Sequence, residues 1–154
     1  MVANARTRLL LLGSLPGRQS LAAGRYYANP RNQFWRLLSP VVGADLVAMD
    51  YDVRLSALLG AGIGLWDVVE SARRRGSLDA DLREVEVRDL RRALAGLPAL
   101  RAMAFNGAKA YAIGRAQLGG DPPVPLIALP SSSPAHAVGL GVKQPAWEAL
   151  GVWL

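Results

Sequence analysis

Residues Leu9 to Leu12 are four consecutive leucines, and Gly13 closes the run. No polar residue alternates with them, so neither face of the segment is suited to water. A short, wholly apolar run of this kind predicts a strand buried on both sides, as in a parallel sheet covered by helices. Gly13-Ser14-Leu15-Pro16-Gly17 follows at once. Two glycines and a proline stop the strand and let the backbone come close to a ligand. Beyond them stand Tyr26, Tyr27, Asn29, Asn32, Phe34 and Trp35, interleaved with Arg18, Arg25, Arg31 and Arg36. Planar rings and amides suit a nucleobase, and guanidiniums suit phosphates. The plainer account of the same stretch is a strand, a turn and an aromatic-rich core helix.

Strands and helices then alternate. The spacing of Phe34, Leu37 and Leu38 predicts a helix from near Arg31 that ends before Pro40. A second helix is expected over Val53–Leu59, and a strand-like segment over Ile63–Val69. Ser71–Asp81, with Arg73, Arg74 and Arg75, is the most polar stretch and is expected to be a mobile loop. Its ordinary role is a solvated surface; the alternative is contact with a DNA strand. A helix over Val87–Leu97, a strand over Arg101–Phe105, a helix over Ala108–Leu118, a strand over Val124–Leu129 and a last helix over Val142–Leu154 complete the chain. This order predicts an α/β fold, a three-layer sandwich with a four-stranded, mainly parallel sheet, as one domain over residues 1–154. Ligands of such sheets sit outside the carboxyl ends of the strands. Three turns fall there: Gly13–Gly17, Asn106-Gly107 and Pro130–His136. All are rich in glycine, amide or hydroxyl groups.

Composition narrows the chemistry. The chain has 154 residues, 51% of them hydrophobic, and no cysteine. Disulfides, thiolate zinc sites and iron–sulfur clusters are excluded, which fits a reducing, cytoplasmic setting. His136 is the only histidine, so a histidine-rich metal site is excluded too. The net charge is +6, and 16 of the 18 basic residues are arginine. That balance favours a polyanionic partner, nucleic acid before a membrane surface. Arginine-for-lysine usage also follows from a GC-rich coding sequence, so charge alone carries little weight. No apolar run approaches the ~20 residues of a membrane span. The leucine run is read as a core strand rather than a signal peptide.

Four blocks carry a resemblance: G-S-L-P-G at Gly13–Gly17, Y-Y-A-N-P-R-N-Q-F-W at Tyr26–Trp35, A-F-N-G at Ala104–Gly107 and L-P-S-S-S-P-A at Leu129–Ala135. Together they resemble the uracil-DNA glycosylase superfamily, closest to its mismatch-specific and hypoxanthine (deoxyinosine) branches. The resemblance implies a parallel sheet between helices, no metal or cofactor, and cleavage of the N-glycosidic bond of a damaged base flipped out of DNA. Such cleavage builds positive charge on the sugar and negative charge on the base. Ser14 occupies the place where the family often has a water-orienting Asp or Asn. A serine hydroxyl is a poor general base. The hypoxanthine branch is similar in this respect, and there the water-holding role maps to Asn32, whose carbonyl can hold a water while the base departs. The alternative for Asn32 is an amide that caps a helix. Asn29 stands where the family more often has histidine.

The same resemblance makes Asn106 the reader of the base's Watson–Crick edge, since an amide offers both a donor and an acceptor. The alternative is a turn-forming Asn-Gly. Gly13 and Leu15 would border the base, and Tyr26 or Tyr27 would stack on it. One of these tyrosines, with Phe34 and Trp35, is expected to belong to the core. Ser131, Ser132 and Ser133 would grip phosphate, with Ser131 the phosphate holder in one alignment. In another, Ala135 or His136 is the residue that intrudes into the duplex. Neither Lys109 nor Lys143 lies in a motif turn, so no Schiff base or strand-cleaving step is expected. The expectation is a monomeric, cofactor-free DNA glycosylase that acts on double-stranded DNA and leaves an abasic site. Hypoxanthine is expected first and uracil in mismatches second. A DNA-binding module of the same fold without catalysis is the first rival. A nucleotide-handling α/β enzyme is the second, but the chain lacks GxGxxG and GxxxxGK[ST].

Overall fold

The computed structural model describes residues 1–74 and 82–154. The leucine run forms β1 (Leu9–Gly13), which sits inside a four-stranded parallel sheet. β2 (Ile63–Asp67) pairs on one side of it. β5 (Ala102–Asn106) pairs on the other, followed by β6 (Leu126–Leu129). The four leucines are required because the sheet is covered twice. Leu9 and Leu11 pack with Phe34, Leu37, Leu58 and Trp147 on one face. Leu10 and Leu12 pack with Leu90, Phe105 and Leu118 on the other. The three-layer sandwich is therefore present as expected.

The helices are α1 (Arg18–Ala23), α2 (Phe34–Val42), α3 (Tyr51–Gly60), α4 (Leu90–Ala95), α5 (Ala108–Leu118) and α6 (Leu140–Glu148), and a 3₁₀ turn over Ala149–Trp153 follows. Several bounds differ from expectation for local reasons. The short α1 has no apolar periodicity to announce it. α2 starts at Phe34 rather than Arg31, because residues 29–32 close turns on themselves. The Arg31 N–H bonds the Asn29 side chain, and the Asn32 N–H bonds the Asn29 carbonyl. α2 also runs through Pro40. Only two residues follow before Gly43 ends the helix in the left-handed region, at φ 71°, so little of the backbone ladder is lost. α4 is shorter than Val87–Leu97, because Val87 still belongs to a strand and the Asp89 side chain caps the helix by accepting from the Arg92 N–H.

The polar stretch after β2 is not simply a loop. β3 (Val69–Arg74) and β4 (Leu82–Val87) pair as an antiparallel ribbon with irregular register. Residues 75–81 of the expected loop, Arg75 included, lie outside the described residues. No described helix is long and apolar enough to cross a membrane.

Candidate active site

All four strands of the main sheet point their carboxyl ends at one cleft of about 900 Å³. That volume is ample for a nucleobase with its sugar. β1 brings Gly13, Ser14 and Leu15; β2 brings Asp67; β5 brings Asn106; β6 leads into Ser131, Ser132, Ser133, Ala135 and His136. Tyr26, Tyr27, Asn29 and Asn32 form the wall contributed by the segment before α2. Every residue to which the family resemblance assigns a catalytic, base-binding or DNA-contacting role therefore borders the same opening. Residues 32 and 106, far apart in the chain, share it.

Asn106 is 8% exposed and its amide is heavily used. Its Oδ1 accepts the Ser132 backbone N–H at 2.8 Å, and its Nδ2 donates to Ser132 Oγ at 2.8 Å and to Tyr27 Oη at 3.2 Å. An amide has two N–H donors and two acceptor lone pairs. Among the described residues, one lone pair of Oδ1 is left for a ligand. Asn106 is thus the latch that ties the serine turn to the end of β5. The next residue, Gly107, has φ 100°, and a Cβ there would stand 3.2 Å from the Ser131 Cβ. The positive φ requires glycine, and a side chain there would also push the Ser131 side chain aside by a few tenths of an ångström.

The serine turn is held from three further directions. The Gln33 N–H donates to the Ser132 carbonyl at 3.0 Å. Trp147 Nε1, from α6, donates to the Pro130 carbonyl at 3.1 Å. Lys143 Nζ, also from α6, donates to the His136 carbonyl at 2.9 Å. Lys143 is fully buried, and burial lowers its ammonium pKa below the usual lysine value. The hydroxyl of Ser132 faces inward with the residue at 0% exposure, so it is committed to Asn106 rather than to a phosphate. Ser131 and Ser133 remain at the cleft surface; their hydroxyls accept the N–H groups of Ser133 and Ala135. Ala135 and His136 are exposed on the rim.

Asn32 both lines the cleft and anchors the start of α2: one residue before the N-cap Gln33, its Oδ1 accepts the Phe34 N–H at 3.0 Å in an Asx turn. This bond uses one lone pair of that carbonyl and leaves the other. Phe34 and Trp35 are core residues, as expected. Tyr27 adopts φ 51°, stacks on Phe34 with ring centroids 3.6 Å apart, and accepts the Trp35 indole N–H at its carbonyl. The Tyr51 hydroxyl accepts the Tyr26 N–H. Burial, then the Asp67 carboxylate, push the Tyr26 phenol well above its usual value, so it stays neutral. Arg18 and Arg31 line the cleft, while Arg25, Arg36 and Arg54 line an adjoining recess behind the tyrosine wall. Among the described residues no cluster of three or more His, Asp or Glu could hold a metal ion.

Sequence reasoning missed Asp67, Gln33, Lys143 and Trp147. Asp67 alone had a signal: it is the first charged residue after the apolar run Ile63–Trp66, at the edge where ligands of parallel sheets bind.

A parallel sheet with a base-sized cleft at its carboxyl edge, walled by rings, amides and a serine turn, defines a nucleic-acid base-handling α/β protein. A family model described as the uracil DNA glycosylase superfamily matches residues 1–151, and the chain belongs to that superfamily. It is 37% identical over 151 residues to a hypoxanthine DNA glycosylase of Methanosarcina acetivorans, covering 97% of this chain and 93% of that one. It is 40% identical over 108 residues to a hypoxanthine DNA glycosylase of Methanosarcina barkeri, covering 70% and 68%. The solution NMR structure of a protein from M. acetivorans, described as a candidate uracil DNA glycosylase, superposes with a TM-score of 0.84 at 36% identity, over 97% of this chain and 92% of that one.

Proposed function

We infer that this DNA N-glycosylase removes deaminated bases from duplex DNA as a monomer, hypoxanthine first and uracil in mismatches second, leaving an abasic site. The observation that carries this reading is the meeting of Asn32, Asn106 and the serine turn in one cleft at the carboxyl edge of the sheet. The names of the two Methanosarcina relatives support hypoxanthine as the first substrate.

The proposed chemistry follows from the groups present. The target nucleotide leaves the stack and enters the cleft. Phe34 braces the Tyr27 ring from behind, and that ring stacks on the base. The second lone pair of Asn106 Oδ1 accepts the N1–H of hypoxanthine or the N3–H of uracil. Its Nδ2 can reach the base carbonyl only by giving up Tyr27 Oη, its longest contact. The remaining lone pair of Asn32 Oδ1 holds the attacking water. Arg18, Arg31, Ser131 and Ser133 meet flanking phosphates. Ala135 or His136 enters the gap in the duplex. No lysine lines the cleft among the described residues, and Lys143 is committed to the loop backbone, so the reaction stops at base release.

The test is a rate panel on duplexes with deoxyinosine, deoxyuridine or a thymine mismatch, read as abasic product. Release of hypoxanthine ahead of uracil is expected. Folded protein that yields no abasic product from any of them refutes the reading and favours the rival: salt-dependent DNA binding without base release.

A further inference from the structure

The positive charge that develops on the sugar in base release is not matched by the amides, hydroxyls and arginines of the cleft. As the glycosidic bond breaks, the sugar becomes cationic around C1′, and the water that attacks it must lose a proton. Asn32 and Ser14 can hold a water, but neither accepts a proton readily. Arg18 and Arg31 carry the wrong sign for the sugar. Asp67 carries the right one. It closes β2, is 7% exposed, and pairs in register with Gly13 across the sheet. Its Oδ1 lies 2.6 Å from where a Cβ on Gly13 would stand, and Tyr27 Oη lies 3.1 Å from the same point. The absent side chain of Gly13 is therefore the space this carboxylate occupies, beside the first turn and Ser14. Asp67 is the one carboxylate among the described residues that line the cleft.

We propose that Asp67 is a catalytic residue of base release: its carboxylate stands beside C1′ of the flipped nucleotide, stabilises the cationic sugar and takes the proton of the attacking water. This rests on the glycosylase reading above. The C1′–N bond breaks and its electron pair leaves with the base, which is then protonated from solvent. The water oxygen bonds to C1′, its proton passes to the Asp67 carboxylate, and the carboxylic acid returns that proton to solvent. The carboxylate comes from β2, a strand away from the turn where Ser14 stands, so the negative charge and the water-holding groups reach C1′ from different elements. The titratable and charged groups around it are the phenols of Tyr26 and Tyr27, the Arg88 guanidinium and the Met1 α-amino group. Tyr26 stays a neutral phenol beside it, so it adds no second negative charge.

The experiment is single-turnover hypoxanthine release from a deoxyinosine duplex by wild type, Asp67→Asn and Asp67→Ala, with thermal melting and duplex affinity measured alongside. Asp67→Asn is expected to lose about 10²–10⁴-fold in rate while duplex affinity is kept or improved. Formate is expected to restore part of the Asp67→Ala rate by entering the vacated space. The wild-type rate is expected to fall on the acid side, with that limb missing in Asp67→Asn. Asp67→Asn that melts like wild type and matches its rate and pH profile overturns the proposal, as does a folded Asp67→Ala that formate leaves unchanged. If neither variant melts cooperatively, the wild-type profile decides: a rate that stays flat on the acid side until the fold itself is lost overturns the proposal, and an acid limb that precedes unfolding supports it. A wild type that releases no base is the separate failure of the glycosylase reading.

Discussion

Removing the Asn106 side chain tests whether the amide at the end of β5 is a structural latch as well as a base reader. Asn106→Ala deletes three hydrogen bonds: two to Ser132 at 2.8 Å and one to Tyr27 at 3.2 Å. The Ser132 N–H is left buried without an acceptor, which costs about 1–3 kcal/mol. The Ser132 and Tyr27 hydroxyls can turn toward other partners, and their loss adds roughly 0.5–1 kcal/mol together. The sum is about 1.5–4 kcal/mol, or a fall in Tm of roughly 3–16 °C for a chain of this size. Ser132→Ala removes the hydroxyl contact alone, so it should destabilise less than Asn106→Ala. In a double-mutant cycle Asn106 and Ser132 should couple by about 1 kcal/mol. Equilibrium urea unfolding supplies these numbers. An Asn106→Ala protein within about 0.5 kcal/mol of wild type, yet unable to release a base, would refute the latch and leave base reading as the side chain's whole role.

Three further outcomes follow from the site. Asn32→Ala should lose about 0.5–1.5 kcal/mol with the hydrogen bond to the Phe34 N–H, whereas Asn32→Ser should recover most of that stability but not the rate of base release; recovery of both in the serine variant would make the residue a structural anchor only. Gly13→Ala places a methyl 2.6 Å from Asp67 Oδ1 and should cost about 1–3 kcal/mol together with activity. Gly17→Ala, with φ −64° and open space around it, should leave stability within about 0.5 kcal/mol, and similar melting of the two variants would refute the crowding argument. For Lys143, the unfolded chain keeps its proton up to the ordinary value of 10.5, while burial lowers the folded value. Between the two values the unfolded state binds more protons, so the folded state gains stability as pH rises. The Tm of wild type relative to Lys143→Met should therefore improve from neutral pH toward 10.5, and a difference independent of pH would show that the buried ammonium carries no penalty.

Much of the site could be read before any coordinates because it is built from contiguous blocks. The leucine run, the glycine turn after it, the Tyr26–Trp35 block, Asn106-Gly107 and the serine turn each carry their own local chemistry. The order of strands and helices is likewise written in periodicity and in glycine and proline breaks. α5 is bounded as expected, because Gly107 and Gly119 mark both of its ends. Where local signals conflicted, tertiary packing prevailed: Pro40 did not end α2, and Val87 went to a strand rather than a helix.

What the linear chain determined is the inventory: a buried parallel sheet, and turns stocked with amides, rings and hydroxyls at one edge. What only the folded structure decided is the wiring among them. Asn106 and Ser132 are 26 positions apart, and Asp67 and Gly13 are 54 apart, so no spacing rule could link them. Strand pairing puts Asp67 beside a glycine whose missing side chain gives it room, and the folding of α6 against α2 brings Lys143 and Trp147 up behind the serine turn. The physical reason is that hydrogen bonds and burial act through distance in space, while a sequence displays only distance along the chain.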